Sequence, residues 1–206
     1  MKPDLELYKK NNVEGIYVEL DSSVDTMSFF ALSRWLGYRL MQNPDQPRKP
    51  LIGKFMKGYY GPASAVMEKY LHYLEQRIQD VNSPLQELSV EKRPYLDLEF
   101  FTTVQDLLDK AEAECGANSP ELFHVKRERV TVDCSLLNLW TKLKKQLPKG
   151  KELPFDRYKV FNRFKTNRVE QAKAMFSETH YEERRKGKKG IDQEIRLLDT
   201  AERNPE

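Results

Sequence analysis

Apolar residues recur along most of the chain at three- and four-residue spacing, which is the period of a helix with one face turned to a core. Phe29, Leu32, Leu36 and Leu40 make one such stripe. It predicts a helix running to about Met41, with Ser22, Ser23 and Asp25 offering caps and Asn43-Pro44 stopping it. Leu51 and Phe55 share a face in a second helix after Pro50, and Gly58-Tyr59-Tyr60-Gly61-Pro62 ends it with glycines that let the chain reverse. Val66, Tyr70, Leu74 and Ile78 then mark a third helix, broken at Asn82-Ser83-Pro84. Tight turns between consecutive helices predict antiparallel packing over residues 24–81.

Residues 82–101, with two prolines and mixed charge, read as a connection. Thr102 or Thr103 is the expected cap of a helix carrying Val104, Leu107, Leu108, Ala111 and Cys115 on one side, closed by Gly116. Ser119-Pro120-Glu121 opens a long helix with Leu122, Val125, Val132, Leu136, Leu139 and Leu143 in line, ended by Pro148. A further helix starts near Pro154, with Tyr158, Phe161, Val169, Ala172 and Phe176 as its expected inner face. Glu182 to Gly190 is charged enough to read as a linker, and Ile191 to Ala201 fits one short amphipathic helix.

Val13 to Leu20 breaks the helical period. The segment is short, β-branched and aromatic, with Gly15 near its start, and it predicts a strand. One strand alone leaves backbone donors and acceptors unpaired on both edges, so it must pair outside this chain or not be a strand. The expected architecture is therefore mainly α: a helical bundle preceded by one β-strand. Three regions follow, with residues 1–23 as strand and junction, 24–180 as a helical domain and 181–206 as a charged linker and tail helix.

Composition narrows the class. Of 206 residues, 39% are hydrophobic and 33% charged, which suits a globular chain with a charged surface and excludes collagen-like and wholly disordered classes. No run approaches the roughly 18 apolar residues of a spanning helix, and Met1-Lys2-Pro3-Asp4 begins no signal core. As written the chain reads as cytoplasmic, or as periplasmic or extracellular if a natural leader has been lost. The net charge of +3 conceals a basic block: residues 141–190 carry sixteen Lys/Arg against six Asp/Glu. Such a block suits either a solvated helix face or a surface for an acidic partner such as nucleic acid, although no recognised nucleic-acid motif accompanies it.

Candidate chemistry is sparse. There is no phosphate loop, no nucleophile elbow and no Cys or His pair at metal spacing, so no cofactor or metal is implied. Cys115 and Cys134 lie on apolar stripes and read as buried free thiols, while His72, His124 and His180 stand isolated as structural or surface residues. Glu19 and Asp21 close the strand candidate on one side of it, where barrel folds place substrate-contacting groups. They read either as sugar-binding carboxylates or as surface acids at a strand-to-helix junction. Trp35 and Trp140 fit core positions on their helices, and Tyr59 and Tyr60 can bury one ring while exposing the other.

Leu36-Gly37-Tyr38-Arg39-Leu40-Met41-Gln42-Asn43-Pro44-Asp45, then Phe55-Met56-Lys57-Gly58-Tyr59-Tyr60-Gly61-Pro62-Ala63 and Tyr70-Leu71, carry a resemblance. Over roughly residues 13–80 the sequence resembles the carboxy-terminal part of the bacterial proteins grouped as domain of unknown function 4838. Those proteins are similar to α-glucuronidase-type glycoside hydrolases with a (β/α)8 barrel. The resemblance implies that residues 13–20 are the last strand of a barrel and that the helices after it form an attached region. It implies no catalytic residue here, because the other strands and their paired carboxylates lie outside this chain. Glu19 and Asp21 remain as candidate substrate contacts, carbohydrate is the implied partner through the barrel, and open edges at 13–20 predict self-association of the chain alone.

Overall fold

A computed structural model describes residues 2–18, 27–81, 89–187 and 190–200, and every regular element among them is helical. The chain is mainly α, as the periodicity predicts.

Helix α1 (Lys2–Lys10) is short, and of its apolar side chains only Leu5 enters the core. Asp4 in its first turn and Lys9 and Lys10 in its last complement the helix dipole. Residues 13–18 take no regular structure, and Val13, Ile16, Tyr17 and Val18 are exposed. The described part of the expected strand thus has no partner strand among the described residues and forms no ladder there. Its remaining residues, with Glu19, Asp21 and the expected caps Ser22, Ser23 and Asp25, lie outside the described residues.

The three helices expected in residues 24–81 are α2 (Phe30–Gln42), α3 (Arg48–Tyr60) and α4 (Ser64–Asp80). The stripe Phe29, Leu32, Leu36 and Leu40 is buried throughout. The reversal differs in one respect: Gly58 stays helical, and the turning residue is Gly61, at φ 49° and ψ −118°. A Cβ there would stand 2.8 Å from Glu121 Cγ, so both backbone and space call for glycine. Pro62 sits in the short 3-10 turn Gly61–Ala63 that leads into α4.

Helix α5 (Leu98–Glu114) starts four residues before the expected Thr102 cap. Asp97 takes that role, accepting from the Phe100 amide at 2.8 Å while pairing with Arg77 of α4. The Thr102 hydroxyl instead donates back to the Leu98 carbonyl. Helix α6 (Pro120–Lys145) opens as the Ser-Pro-Glu signal predicts, with Ser119 Oγ accepting from Leu122 N at 3.1 Å. It packs against α3, α5 and α7 and touches α9. Its buried positions run from Val125 through Val130, Val132, Leu136, Leu137 and Trp140 to Leu143, more than one stripe holds. This is a central helix, and it carries charged residues inside: Glu128, Arg129 and Asp133 are all buried.

Helix α7 (Arg157–Met175) is capped by Asp156 and turns Val160, Phe161, Phe164 and Ala172 inward. Tyr158, expected inside, is 74% exposed. At about 100° per residue the buried face centres near Phe164, with Val160, Asn167 and Gln171 beside it, and Tyr158 falls well off it, whereas Phe161 and Ala172 are buried as expected. Residues read as a linker from their charge continue instead as helix α8 (Glu178–Lys186), started by Ser177 and anchored by Tyr181. Tyr181 joins Ala172 and Ile191 in a small second cluster with α9 (Ile191–Thr200), and Arg185 ties α8 to α9 by reaching both Glu182 and Asp192.

Candidate functional site

The Gly-Tyr-Tyr-Gly-Pro-Ala run delivers two adjacent tyrosines to different environments. Tyr60 is fully buried at the end of α3, and its hydroxyl donates to Glu128 Oε1 at 2.9 Å. Tyr59 lies half-buried and stacks flat on His124 of α6 at 3.7 Å between ring centroids. His124 Nδ1 donates to the Tyr59 carbonyl at 2.6 Å, and burial pushes this imidazole below its ordinary range. Arg127, one turn along α6, donates to the Tyr59 hydroxyl at 3.4 Å. The expectation of one buried and one half-exposed ring therefore holds.

Glu128 is the centre of this cluster. Its second oxygen accepts from the backbone amide of Phe29 at 2.7 Å, linking residues 99 apart in sequence. Phe29 precedes α2 in the left-handed region at φ 56°, a conformation that costs a phenylalanine about 1–3 kcal/mol. Its ring is buried, 4.9 Å from Tyr70 and edge-on to Tyr60 at 6.4 Å. Ser28 and Tyr70 share a further hydroxyl bond of 2.8 Å. No cation among the described residues forms an ion pair with Glu128. Burial raises its carboxyl to about 7, against the opposing pull of the Phe29 and Tyr60 hydrogen bonds and of Arg127. A cleft of about 10 Å³ against it, edged by Met27, Phe30, Ala31 and Thr131, has room for one water and no sugar ring.

A second buried polar cluster lies on the other side of α6. Asp133, with no exposed surface, accepts from Gln105 Nε2 at 2.8 Å and from Arg163 at 2.7 and 2.8 Å. Arg129, also fully buried, reaches Gln105 Oε1 at 2.6 Å, Glu112 at 2.7 Å and Asp109 at 2.7 Å. Five side chains from α5, α6 and α7 satisfy one another here, together with Asp109 at the rim. The arrangement cross-ties three helices and presents no unengaged nucleophile or base.

The other residues singled out from sequence fall to packing. Trp140 is buried, and Trp35 packs on Phe55 at 5.6 Å with Arg39 over its ring. Cys115 and Cys134 are free thiols, and burial pushes Cys134 up to about 12, which makes it inert at neutral pH. His72 sits 3.4 Å from Glu75, and His180 lies against its cap Ser177. Glu19 and Asp21 lie outside the described residues. Among the described residues no three His, Cys, Asp or Glu side chains converge as metal ligands, and no helix is long and apolar enough to cross a membrane.

Sequence reasoning missed Glu128, Arg129 and Asp133. The available signal was that apolar residues surround α6, which leaves charged neighbours on that helix nowhere to go but inward.

No curated protein and no solved structure matches the chain. The model of the family described as Domain of unknown function (DUF4838) matches residues 1–72, so the resemblance carried by the Gly-Tyr-Tyr-Gly-Pro-Ala run holds for the segment that ends in α4.

Proposed function

We propose that this chain is a helical region that supports a glycoside-hydrolase-like barrel and does not catalyse by itself. The observation that carries the reading is residues 13–18. Within the family-matched segment, Val13, Ile16, Tyr17 and Val18 turn apolar side chains to water, while Leu5 before them and Phe29 after them are fastened in the core. An apolar stretch held at both ends suits a partner surface, and a barrel's strand edge supplies both apolar contact and backbone hydrogen bonds. Glycoside hydrolysis requires two carboxyl groups facing the scissile bond across a pocket, and the two buried carboxylates, Glu128 and Asp133, are enclosed by protein and cannot serve as such a pair.

The other reading, an acidic partner bound through residues 141–190, has less support. Arg163 is engaged by Asp133, Arg168 by Glu194, Lys144 by Glu152, and Arg185 by Glu182 and Asp192. At least four of the block's sixteen basic side chains are thus paired within the chain, and no recognised nucleic-acid motif accompanies the block.

The test is sedimentation of the chain mixed with a barrel polypeptide from the family whose model matches residues 1–72. A one-to-one complex that fails to form with Ile16→Glu/Val18→Glu is the expected result. Absence of any complex, or equal association of the double variant, overturns the proposal.

A further inference from the structure

We propose that Glu128 is a proton-operated latch, which fastens the entry segment Met27 to Ala31 to the helical core and loosens it when the carboxyl loses its proton. The inference stands on geometry and holds whether or not residues 13–18 meet a barrel.

The groups facing Glu128 decide the sign. Tyr59 and Tyr60 face it from α3, Tyr70 from α4 and Ser28 from the entry segment, all neutral near pH 7 because burial raises the three phenols further. From its own helix come Arg127, which attracts the anion without an ion-pair contact, and His124, held neutral by burial. The ionised carboxylate then has two hydrogen-bond donors, Phe29 N–H and Tyr60 O–H, to compensate a full buried charge. The protonated acid keeps both contacts without the charge: one oxygen still accepts from Phe29, and the other donates its own hydrogen to Tyr60 Oη.

Ionisation therefore favours admitting water. The small cleft at Met27, Phe30 and Ala31 is where water reaches the carboxyl with least movement. The element that must move is also the strained one, since lifting the segment releases Phe29 from its left-handed conformation. The latched carboxyl ionises at about 7 and the water-exposed one near its ordinary 4.5, so the loosening builds up between these two values.

The test is amide exchange of the full chain from about pH 4 to about pH 9, expressed as protection factors so that intrinsic base catalysis divides out. Protection at Phe29, whose amide meets Glu128, and at Ser33, whose amide meets the Phe29 carbonyl, should be level below about pH 4.5, fall by up to about tenfold per unit as pH rises to about 7, and level off above it. Val104 and Leu108, in the core of α5, should keep higher protection at every pH, because they open only with the whole fold. Glu128→Gln, which retains an acceptor for Phe29 and a donor for Tyr60, should remove the fall at the entry segment. A level wild-type profile, or the same fall in Glu128→Gln, overturns the latch. If Glu128→Gln does not fold, Tyr60→Phe gives an independent reading. Losing a donor to the anion should move the midpoint to higher pH, and an unmoved midpoint contradicts the proposal.

Discussion

Removing Asp133 should cost more stability than removing Arg129, although Arg129 is the larger side chain and reaches more partners. Both have no exposed surface. The difference lies in what each leaves behind. Arg129→Met orphans Asp109, which is 65% exposed, and Glu112, which is 26% exposed, so water reaches both. Gln105 Oε1 keeps its bond from Arg163, and Asp133 keeps Arg163 and Gln105. A methionine fills much of the vacated space, and the expected cost is about 1–2 kcal/mol. Asp133→Ala instead strips Arg163 of its carboxylate and leaves the buried Gln105 Nε2 without its acceptor, while Arg129 keeps Asp109 and Glu112. Arg163 is one-third exposed, so water offsets part of its loss, but none reaches Gln105 Nε2 without movement, and the expected cost is about 2–4 kcal/mol. Urea denaturation at neutral pH measures both variants against wild type. An Arg129→Met loss equal to or larger than that of Asp133→Ala would mean that the network's strength lies in the number of bonds, contrary to the reasoning from what each removal leaves unpaired.

Glu128 also makes stability depend on pH. Its folded value is raised from 4.5 to about 7, so its contribution is fully present below about pH 4.5 and lost as pH rises to about 7. The loss amounts to about 3 kcal/mol and should be absent in Glu128→Gln when denaturation midpoints are compared across that window. Gly61→Ala should destabilise by about 1–3 kcal/mol in the same assay, and a neutral result would contradict the backbone argument at the turn. The chain alone should self-associate through residues 13–18, with Ile16→Glu/Val18→Glu reducing the sedimenting species; an unchanged distribution would move the association elsewhere. Aryl glycosides should not be turned over by the chain alone, and turnover abolished by Glu19→Gln would refute the supporting role.

The helices between Phe30 and Lys145 were legible because local signals agreed with packing. The Phe29 to Leu40 stripe, the Gly-Pro reversal and the Ser119-Pro120 start all have local causes. Helix α1 was not legible, because nine residues with three apolar side chains, of which only Leu5 is buried, are too few to set a period. The caps at Asp97 and Asp156 were hidden for a different reason: an aspartate in a charged stretch reads as surface until its amide partner is known. The polar interior of α6 was least accessible. Gln105, Arg129, Asp133 and Arg163 compensate one another from three helices, and pairing across such separations leaves no pattern in the chain. The left-handed Phe29 is equally non-local, since its clamp lies 99 residues away.

The supporting role rests on residues 13–18 being a surface for a barrel. Amide exchange of these residues, measured for the chain alone and after addition of a barrel polypeptide from the family whose model matches residues 1–72, tests that most directly. The account predicts rapid exchange of the chain alone at a dilution where it is monomeric, as the exposure of these residues requires, and strong protection on mixing as backbone hydrogen bonds form along a strand edge. Exchange that stays equally rapid in the mixture would contradict it.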